Sequence, residues 1–308
     1  MLQQLYSDLL IEGILLGTWS AAYLKQAQDH IKSFPGPRVG KCGIADDILA
    51  LLAIGAASSK DVDMAAELCD YVAEVTDPES ENEWLYGRAG YLYYLRLVKA
   101  SFVDDEKTTR MLNETADEVV DTILESSRPW KWHGKAYVGA VHGAFGIITQ
   151  IVLTDPERYA PKVEAELAVL LTYQYEEGNW PSSIPAGHDR LVQVCHGAPG
   201  VINCLVSIRH YFPNLRDRID AAIQKGRKCI WERGLLTKEP CLCHGKTRQQ
   251  HMRAGHPLTT SRHLWKRARF RGQRMRALFV LHDRPRDEVD GERRHAGEVG
   301  RARKLVVR

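Results

Sequence analysis

The chain has 308 residues, of which 44% are hydrophobic and 26% are charged. This composition is that of a globular protein with a sizeable core, and it excludes a chain that is disordered throughout. The net charge of +3 conceals an asymmetry, because residues 246–308 contain 18 Lys and Arg against 6 Asp and Glu, whereas residues 1–245 contain 24 against 33. We therefore expect a globular body followed by a basic tail.

The cysteine content and the hydropathy indicate the cellular compartment that we expect for the protein. The seven cysteines are an odd number, and the start Met1–Gln4 lacks the basic and then apolar layout of a signal peptide. No run of 18 or more apolar residues occurs, so we predict no membrane span. These features favour a reducing, cytoplasmic location.

The first predicted elements are helical. Apolar residues recur near a 3.6-residue period through residues 1–34, and Pro35-Gly36-Pro37 then ends the helical pair. The periodic positions are Leu5, Leu9, Leu10, Ile14 and Leu15, followed by Tyr23, Leu24, Ala27 and Ile31.

From residue 40 the chain repeats one pattern, a Gly-x-x-Gly motif that opens an apolar run. The first glycines of the four motifs are 47, 56 and 54 residues apart, and Gly245 follows Gly197 after 48 residues. Small residues at this spacing are common wherever helices pack tightly, but a near-regular period of this size is typical of stacked supersecondary units. The motifs and runs are Gly40–Gly43 before Ile44–Ile54, Gly87–Gly90 before Tyr91–Val98, Gly143–Gly146 before Ile147–Val152, and Gly197–Gly200 before Val201–Ile208.

Each apolar run is followed by a polar segment of helix-forming composition. We interpret one unit as two antiparallel helices, an inner apolar helix that begins at the glycines and an outer amphipathic helix. Such hairpins either stack as an open solenoid or close into a ring, and in a ring the loops before the inner helices face a common cavity. The predicted outer helices are Asp61–Val75, Asp104–Ser126, Pro156–Tyr173 and Arg216–Glu232.

The tripeptide Cys-His-Gly occurs twice, at Cys195–Gly197 and at Cys243–Gly245. Thiolates and imidazoles from two separate segments are the ligands that zinc takes from a protein. A cysteine is often only a small buried residue, but the repetition of the tripeptide inside the repeated frame favours a ligand role. If the two segments meet in space, the sequence predicts a metal site.

Several longer motifs resemble the eukaryotic LanC-like proteins, which are relatives of the bacterial lanthionine synthetase C cyclases. The resemblance covers about residues 20–245. It implies an all-α fold, an α/α toroid of seven two-helix layers with a zinc ion at its centre. The motifs that carry it are Asn82–Tyr91, Tyr137–Gly143, Gly178–Pro181, Cys195–Val201 and Leu242–Gly245.

The resemblance also implies a chemistry. The zinc ligands would be Cys195, Cys243 and His244, and three protein ligands leave a fourth position open, as in catalytic zinc sites. Zinc lowers the pKa of a bound thiol and so supplies thiolate, the nucleophile. In the eukaryotic members the thiol is that of glutathione, which adds to dehydroalanine or dehydrobutyrine residues of peptides or proteins. Zinc as cofactor and glutathione as cosubstrate are therefore implied here.

Further residues match family positions near the reacting atoms. His142 matches the residue proposed to protonate the enolate that thiol addition creates, with a packed histidine at a helix mouth as the alternative. His196 stands where the bacterial members have a tyrosine, and the resemblance implies that it would contact the thiol or the enolate. Glu83 matches an acidic residue that would orient an imidazole or assist proton removal. Lys238 resembles a contact to a carboxylate of glutathione. Arg88 is a candidate anion binder, although a solvated or helix-capping arginine is the more common interpretation.

The pattern breaks off after Gly245. The chain continues with Lys246–His251, and no later segment resembles the remaining inner helices of the family. We therefore expect an α/α toroid over residues 1–245 that is incomplete at its C-terminus, and a basic, low-order tail over residues 246–308 that arises from a frameshift or from intron read-through. The run Lys266–Arg276 is alternatively a site of non-specific attraction to nucleic acid or anionic lipid, because no base-reading motif accompanies it.

Three functions remain in competition. The first is a zinc-dependent enzyme that adds glutathione to dehydroamino acids, and the second is a non-catalytic glutathione-binding or signalling scaffold of the same fold. The third is a nucleic-acid binder with a basic tail. Bound zinc separates the first from the third, and a glutathione adduct on a dehydroalanine peptide separates the first from the second. We expect no specific nucleic-acid partner.

Overall fold

A computed structural model describes residues 10–11, 14–31, 40–185, 187–234 and 243–244, all of which belong to one unit, Met1–Thr260. Within these residues the fold is almost entirely helical. None of the described helices has both the length and the apolar character that crossing a membrane requires. The predicted tail over residues 246–308 and the boundary at residue 245 lie outside the described residues.

The N-terminal segment differs in part from the predicted helix. Strand β1 (Leu10–Ile11) pairs antiparallel with strand β2 (Ile14–Leu15), and helix α1 (Leu16–Ile31) follows. The predicted helix was therefore wrong at residues 10–11 and 14–15. The physical reason is that the sequence there has Ile11, Gly13 and Ile14, and both β-branched residues and glycine lower helix propensity. The predicted helix is confirmed over residues 16–31.

Between residues 40 and 234 the described chain forms the helix pairs that the repeat predicted. In each pair the inner helix is the more apolar of the two, although the inner helix Arg88–Lys99 includes three basic residues. The described units, in chain order, are α2 (Asp47–Ser59) with α3 (Val62–Asp70) and α4 (Val72–Thr76), α5 (Arg88–Lys99) with α6 (Glu106–Glu125), α7 (Ala144–Thr154) with α8 (Pro156–Thr172), and α9 (Ala198–Ile208) with α10 (Arg216–Arg233).

The units pack side by side in chain order. In the inner layer α2 contacts α5, α5 contacts α7 and α7 contacts α9. In the outer layer α3 and α4 contact α6, and α8 contacts α10. The predicted all-α fold of stacked two-helix layers, the arrangement of an α/α toroid, is confirmed for these units.

Aspartates start the outer helices α3, α6 and α8. Asp61, Asp105 and Asp155 each accept a hydrogen bond from a backbone N–H of the first turn, and such a cap stabilises a helix by about 1 kcal/mol. The inner helices α5, α7 and α9 begin instead at the first glycine of their repeat motif, which has no side chain to act as a cap. The first backbone N–H groups of these helices are therefore available to donate hydrogen bonds to the neighbouring loops.

The second glycine of the repeat motif lets each loop fold back onto its inner helix. A Cβ at Gly146 would lie 2.0 Å from the carbonyl oxygen of Ala140, and one at Gly200 would lie 1.9 Å from that of Val194. No side chain fits at such distances, so only glycine permits this close approach. The loops that it brings down over the helix ends carry the predicted site residues.

The core lies between the inner and outer layers. The Tyr91 hydroxyl of α5 donates to the Leu68 carbonyl of α3 at 2.5 Å. Trp180 is 1% exposed, packs edge-on against Phe145 of α7 and donates from Nε1 to the Leu170 carbonyl of α8 at 3.3 Å. The first contact joins α5 to the outer helix of the preceding unit, and the second joins the loop at Trp180 to both helices of the pair α7 and α8.

Two further short strands, β3 (Ala136–Tyr137) and β4 (Ser183–Ile184), pair antiparallel. The strands join the loop before α7 to the segment that precedes the loop before α9. They therefore contribute to the positions of both loops.

Candidate metal centre

The three residues predicted as zinc ligands lie together. Cys195 belongs to the loop before α9, whereas Cys243 and His244 belong to a separate segment, and one ligand atom from each lies within 4.8 Å of the other two. A backbone hydrogen bond of 3.0 Å from the N–H of Val194 to the Cys243 carbonyl joins the two segments. Cys195 of the first tripeptide thus meets Cys243 and His244 of the second in space.

This donor set fits zinc. Two thiols and an imidazole are typical zinc ligands, and at a Zn–S distance of about 2.3 Å neighbouring ligand atoms of a tetrahedral site lie about 3.5 to 4 Å apart. Separations within 4.8 Å reach that arrangement with small side-chain rotations. Cys195 is 6% exposed, while Cys243 and His244 are half-buried.

The two thiols share a hydrogen bond that moves their pKa values apart. The bond to Cys243, followed by burial, raises the pKa of Cys195, while the same bond lowers the pKa of Cys243 to about 5, with His244 adding to the lowering. The pair therefore loses one proton readily and holds the other. A cation between the two sulfurs favours loss of the second proton as well, so metal binding would release protons.

His142 is held between a buried carboxylate and an indole ring. Its Nδ1 lies 2.6 Å from Oε2 of Glu83, which is 2% exposed and also accepts the N–H groups of Leu85, at 3.1 Å, and Tyr86. The imidazole stacks on Trp132 with 4.0 Å between the ring centroids and 5° between the planes. Because Glu83 occupies Nδ1, Nε2 is the nitrogen left for proton transfer.

The ring of His196 packs near those of His142 and Tyr137. His196 follows Cys195 in the chain, and its ring centroid is 5.7 Å from that of His142 and 5.1 Å from that of Tyr137. Burial, followed by the nearby His142, lowers the pKa of His196 to about 4, so this imidazole is neutral at neutral pH. Its buried Nδ1 has no hydrogen-bond partner among the described residues. Since a buried nitrogen of this kind normally has a partner, we expect water or a bound molecule there.

Arg88 is the first residue of α5 and is buried. Its guanidinium donates to the carbonyls of Val75 at 2.9 Å, Asp77 at 2.6 Å and Ser80 at 2.6 Å, and to Oδ1 of Asn82 at 2.7 Å. A carboxylate of a cosubstrate would have to displace these bonds. The geometry therefore favours the helix-capping interpretation over anion binding.

We expect Arg88→Ala to lower the free energy of unfolding by about 2 to 4 kcal/mol, because four acceptors lose a charged donor. Urea unfolding followed by circular dichroism measures this change. Arg88→Lys should be intermediate, since one ammonium group cannot reach all four acceptors. An Arg88→Ala protein of unchanged stability that loses affinity for glutathione in calorimetry would contradict the capping role and support anion binding.

Two residues near the site, Trp132 and Gln193, are not marked by any motif in the sequence. Trp132 opens a tight turn in which His133 and Gly134 have φ of 48° and 74° and Trp132 and Lys135 exchange two backbone hydrogen bonds of 3.0 Å. Glycine after a polar residue is the one local pattern that predicts such a turn. Gln193 is 6% exposed and accepts the Cys195 thiol at 3.5 Å, and no motif marks it.

The predicted glutathione contact Lys238 lies outside the described residues, as does the basic run Lys266–Arg276. Their roles stay predictions.

Known proteins similar to the chain point to one family. A family model described as "Lanthionine synthetase C-like protein" matches residues 16–247. The chain is 32% identical over 178 residues to "Glutathione S-transferase LANCL1" of Danio rerio, an alignment that covers 53% of this chain and 44% of that protein. It is 29% identical over 168 residues to "LanC-like protein GCL1" of Arabidopsis thaliana, covering 50% of this chain and 37% of that protein. The aligned part spans less than half the length of either relative.

Among solved structures the chain is similar to nisin cyclase, with a TM-score of 0.42 and 13% identity over 78% of this chain and 81% of that one. Similarity at this level assigns nothing to the chain. The family model, in contrast, matches more than half of the chain and spans both segments that supply the clustered cysteines and histidine. On that match, the chain belongs to the lanthionine synthetase C-like family.

Proposed function

We propose that the protein adds the thiol of glutathione to dehydroalanine or dehydrobutyrine residues of peptides or proteins, with zinc as its cofactor. The observation that carries the proposal is the convergence of Cys195, Cys243 and His244 next to the neutral imidazole of His196. Family membership supports the reaction class. The name of the similar Danio rerio protein, which contains glutathione S-transferase, supports glutathione as the thiol.

Cys195, Cys243 and His244 would hold the ion through two sulfurs and one imidazole nitrogen. When bound, zinc with an open fourth position lowers the pKa of a thiol and makes thiolate available at neutral pH. The thiol is proposed to enter at Cys243 and His244, and the partial exposure of these two residues supports this side. Lys238, matched by resemblance alone, is proposed to bind a carboxylate of glutathione.

His142 is proposed as the proton donor. As the sulfur bonds to the β-carbon of the dehydroamino acid, the carbon–carbon π bond breaks and its electron pair moves to the α-carbon and the adjoining carbonyl. Protonated His142 then gives the proton on Nε2 to the α-carbon, while the Glu83 carboxylate holds Nδ1 at 2.6 Å and keeps the ring oriented. A neutral His196 is suited to donate a hydrogen bond to the enolate oxygen, which stabilises the developing charge.

The proposal is tested with the purified, zinc-loaded full chain, glutathione and a synthetic peptide that contains one dehydroalanine. Mass spectrometry should show the peptide gaining one glutathione faster than in parallel reactions with zinc-free protein and with no protein, because free thiols add slowly without a catalyst. The same peptide with alanine in place of dehydroalanine serves as the negative control. A rate equal to that of the protein-free reaction contradicts catalysis, and if glutathione still binds, the non-catalytic scaffold becomes the better description.

A further inference from the structure

Arg233, at the end of helix α10, forms hydrogen bonds with Asp189, which precedes Cys195 in the same loop. Nη1 of Arg233, the last residue of α10, lies 2.7 Å from Oδ2 of Asp189, and Nη2 donates to the Asp189 carbonyl oxygen at 2.5 Å. The Arg233 guanidinium therefore bonds to both the side chain and the backbone of Asp189. Paired donors of this kind fix orientation as well as distance.

A buried amide extends the contact into the loop. Asn179 is fully buried, and its Nδ2 donates to Oδ1 of Asp189 at 2.7 Å and to the Leu191 carbonyl at 3.2 Å. Its Oδ1 accepts the N–H of Ala198, the first residue of α9, at 2.7 Å. One side chain thus holds both ends of the stretch in which Cys195 and His196 lie.

The loop is drawn tightly around this amide. Gly197 has φ of 115°, and a Cβ there would lie 2.7 Å from Oδ1 of Asn179 and 2.1 Å from the Leu191 carbonyl oxygen. No other residue fits this backbone conformation and this space. The path of the chain from Leu191 to Ala198 is therefore set by contacts with Asn179.

Arg233 also stands at the start of the segment that supplies the other two ligands. Cys243 and His244 follow it by ten and eleven positions in the chain. At Cys243 this segment meets the loop of Cys195 again, because the backbone N–H of Val194 donates a hydrogen bond to the Cys243 carbonyl. The contact between Arg233 and Asp189 thus links the segment that carries Cys195 to the segment that carries Cys243 and His244. If these two segments moved apart, the three ligand atoms would separate.

We propose that Asp189 and Arg233 are positioning residues for the metal centre, which act through Asn179 to hold Cys195 at binding distance from Cys243 and His244 before an ion arrives. Ligands that are ordered on folding do not have to be ordered on binding, and this raises affinity. The inference rests on the metal centre of the proposed function and is independent of the thioether reaction. The competing view is an ordinary, partly exposed ion pair with no effect on metal binding.

The test compares zinc affinity with the stability of the zinc-free protein. In the full chain we expect Arg233→Met and Asp189→Leu each to raise the zinc dissociation constant about 10- to 100-fold, the range for residues that support a metal ligand. A chromophoric chelator in competition measures this constant. The urea midpoint of the zinc-free protein should change no more than it does for the control Arg128→Met. That control breaks the Arg128–Glu166 pair, which has similar exposure and a 2.8 Å contact.

Rescue and spectroscopy separate positioning from general support. Arg233→Lys should restore part of the affinity, because an ammonium group can contact only one of the two Asp189 oxygens at a time. With Co²⁺ in place of zinc, Arg233→Met should weaken the thiolate-to-cobalt absorption band, whereas Arg128→Met should leave it unchanged.

Three outcomes would overturn the inference: unchanged zinc affinity in Arg233→Met, a loss of affinity no larger than in Arg128→Met, or a wild-type chain that binds no zinc. A wild-type chain that binds zinc but forms no glutathione adduct refutes the proposed reaction and leaves this inference standing.

Discussion

Cys195→Ala and Cys243→Ala are each expected to abolish stoichiometric zinc binding by the purified protein. Each removes one of the three proposed ligands among the described residues, and changes to residues that merely support a ligand already cost about 10- to 100-fold in affinity. We therefore expect the loss to exceed about 100-fold. Metal content after dialysis against a weak chelator, measured per chain by mass spectrometry, checks this result.

Cys42→Ala is the matched control. Cys42 lies in the loop before α2, is 5% exposed against 6% for Cys195, and has its pKa raised to about 12, chiefly by burial. It stands outside the ligand cluster formed by the described residues. Its substitution should leave zinc binding intact while imposing a similar loss of buried sulfur. If Cys195→Ala and Cys243→Ala retain zinc as Cys42→Ala does, there is no metal centre here and the proposed chemistry fails.

His142→Asn is expected to lower the rate of glutathione addition by about 10²- to 10⁴-fold, the usual contribution of a general acid. The zinc content and the affinity for glutathione should remain those of the wild type, because His142 does not belong to the ligand cluster. Glutathione addition to a dehydroalanine peptide, followed by mass spectrometry with metal analysis of the same preparation, gives both quantities. His133→Asn, which removes a histidine from the neighbouring turn, is the control.

Glu83→Gln should act through the same imidazole. The carboxylate lies 2.6 Å from Nδ1 of His142, and an amide supports a protonated ring less well. The double variant Glu83→Gln, His142→Asn should therefore be no slower than His142→Asn alone, since residues that act as a unit are strongly non-additive. Multiplied effects in the double variant would show that the two residues act separately, and simultaneous loss of zinc would assign His142 to the metal site instead.

The helix pairs could be predicted because their signals are local. Each Gly-x-x-Gly motif lies at or shortly before the start of an inner helix, and each apolar run lies mostly within that helix. The regular spacing of the motifs placed successive loops at the same end of the inner layer. The N-terminal strands were missed for a related reason, since a helical period across residues 10–15 says nothing about the tight pairing of Ile11 with Ile14.

The site was predictable only in part. Cys195, Cys243 and His244 came from a repeated tripeptide and a family resemblance, and the structure brings their ligand atoms together. For Arg88 the sequence does not distinguish between two roles. A basic residue at a helix start is equally consistent with a cap and with an anion site, and the two interpretations differ only in what surrounds the guanidinium.

Composition, glycine spacing and apolar period are thus enough to establish the all-α class, the inner and outer helices and the end of the layers at which cysteines and histidines collect. They are enough because backbone propensity and side-chain periodicity act over a few residues. The partners of Glu83, Trp132 and Asp189 lie 59, 10 and 44 positions away along the chain. Such pairings arise only when separate loops are packed over the helix ends, because a polar or aromatic side chain does not carry the identity of its neighbour in its own local sequence.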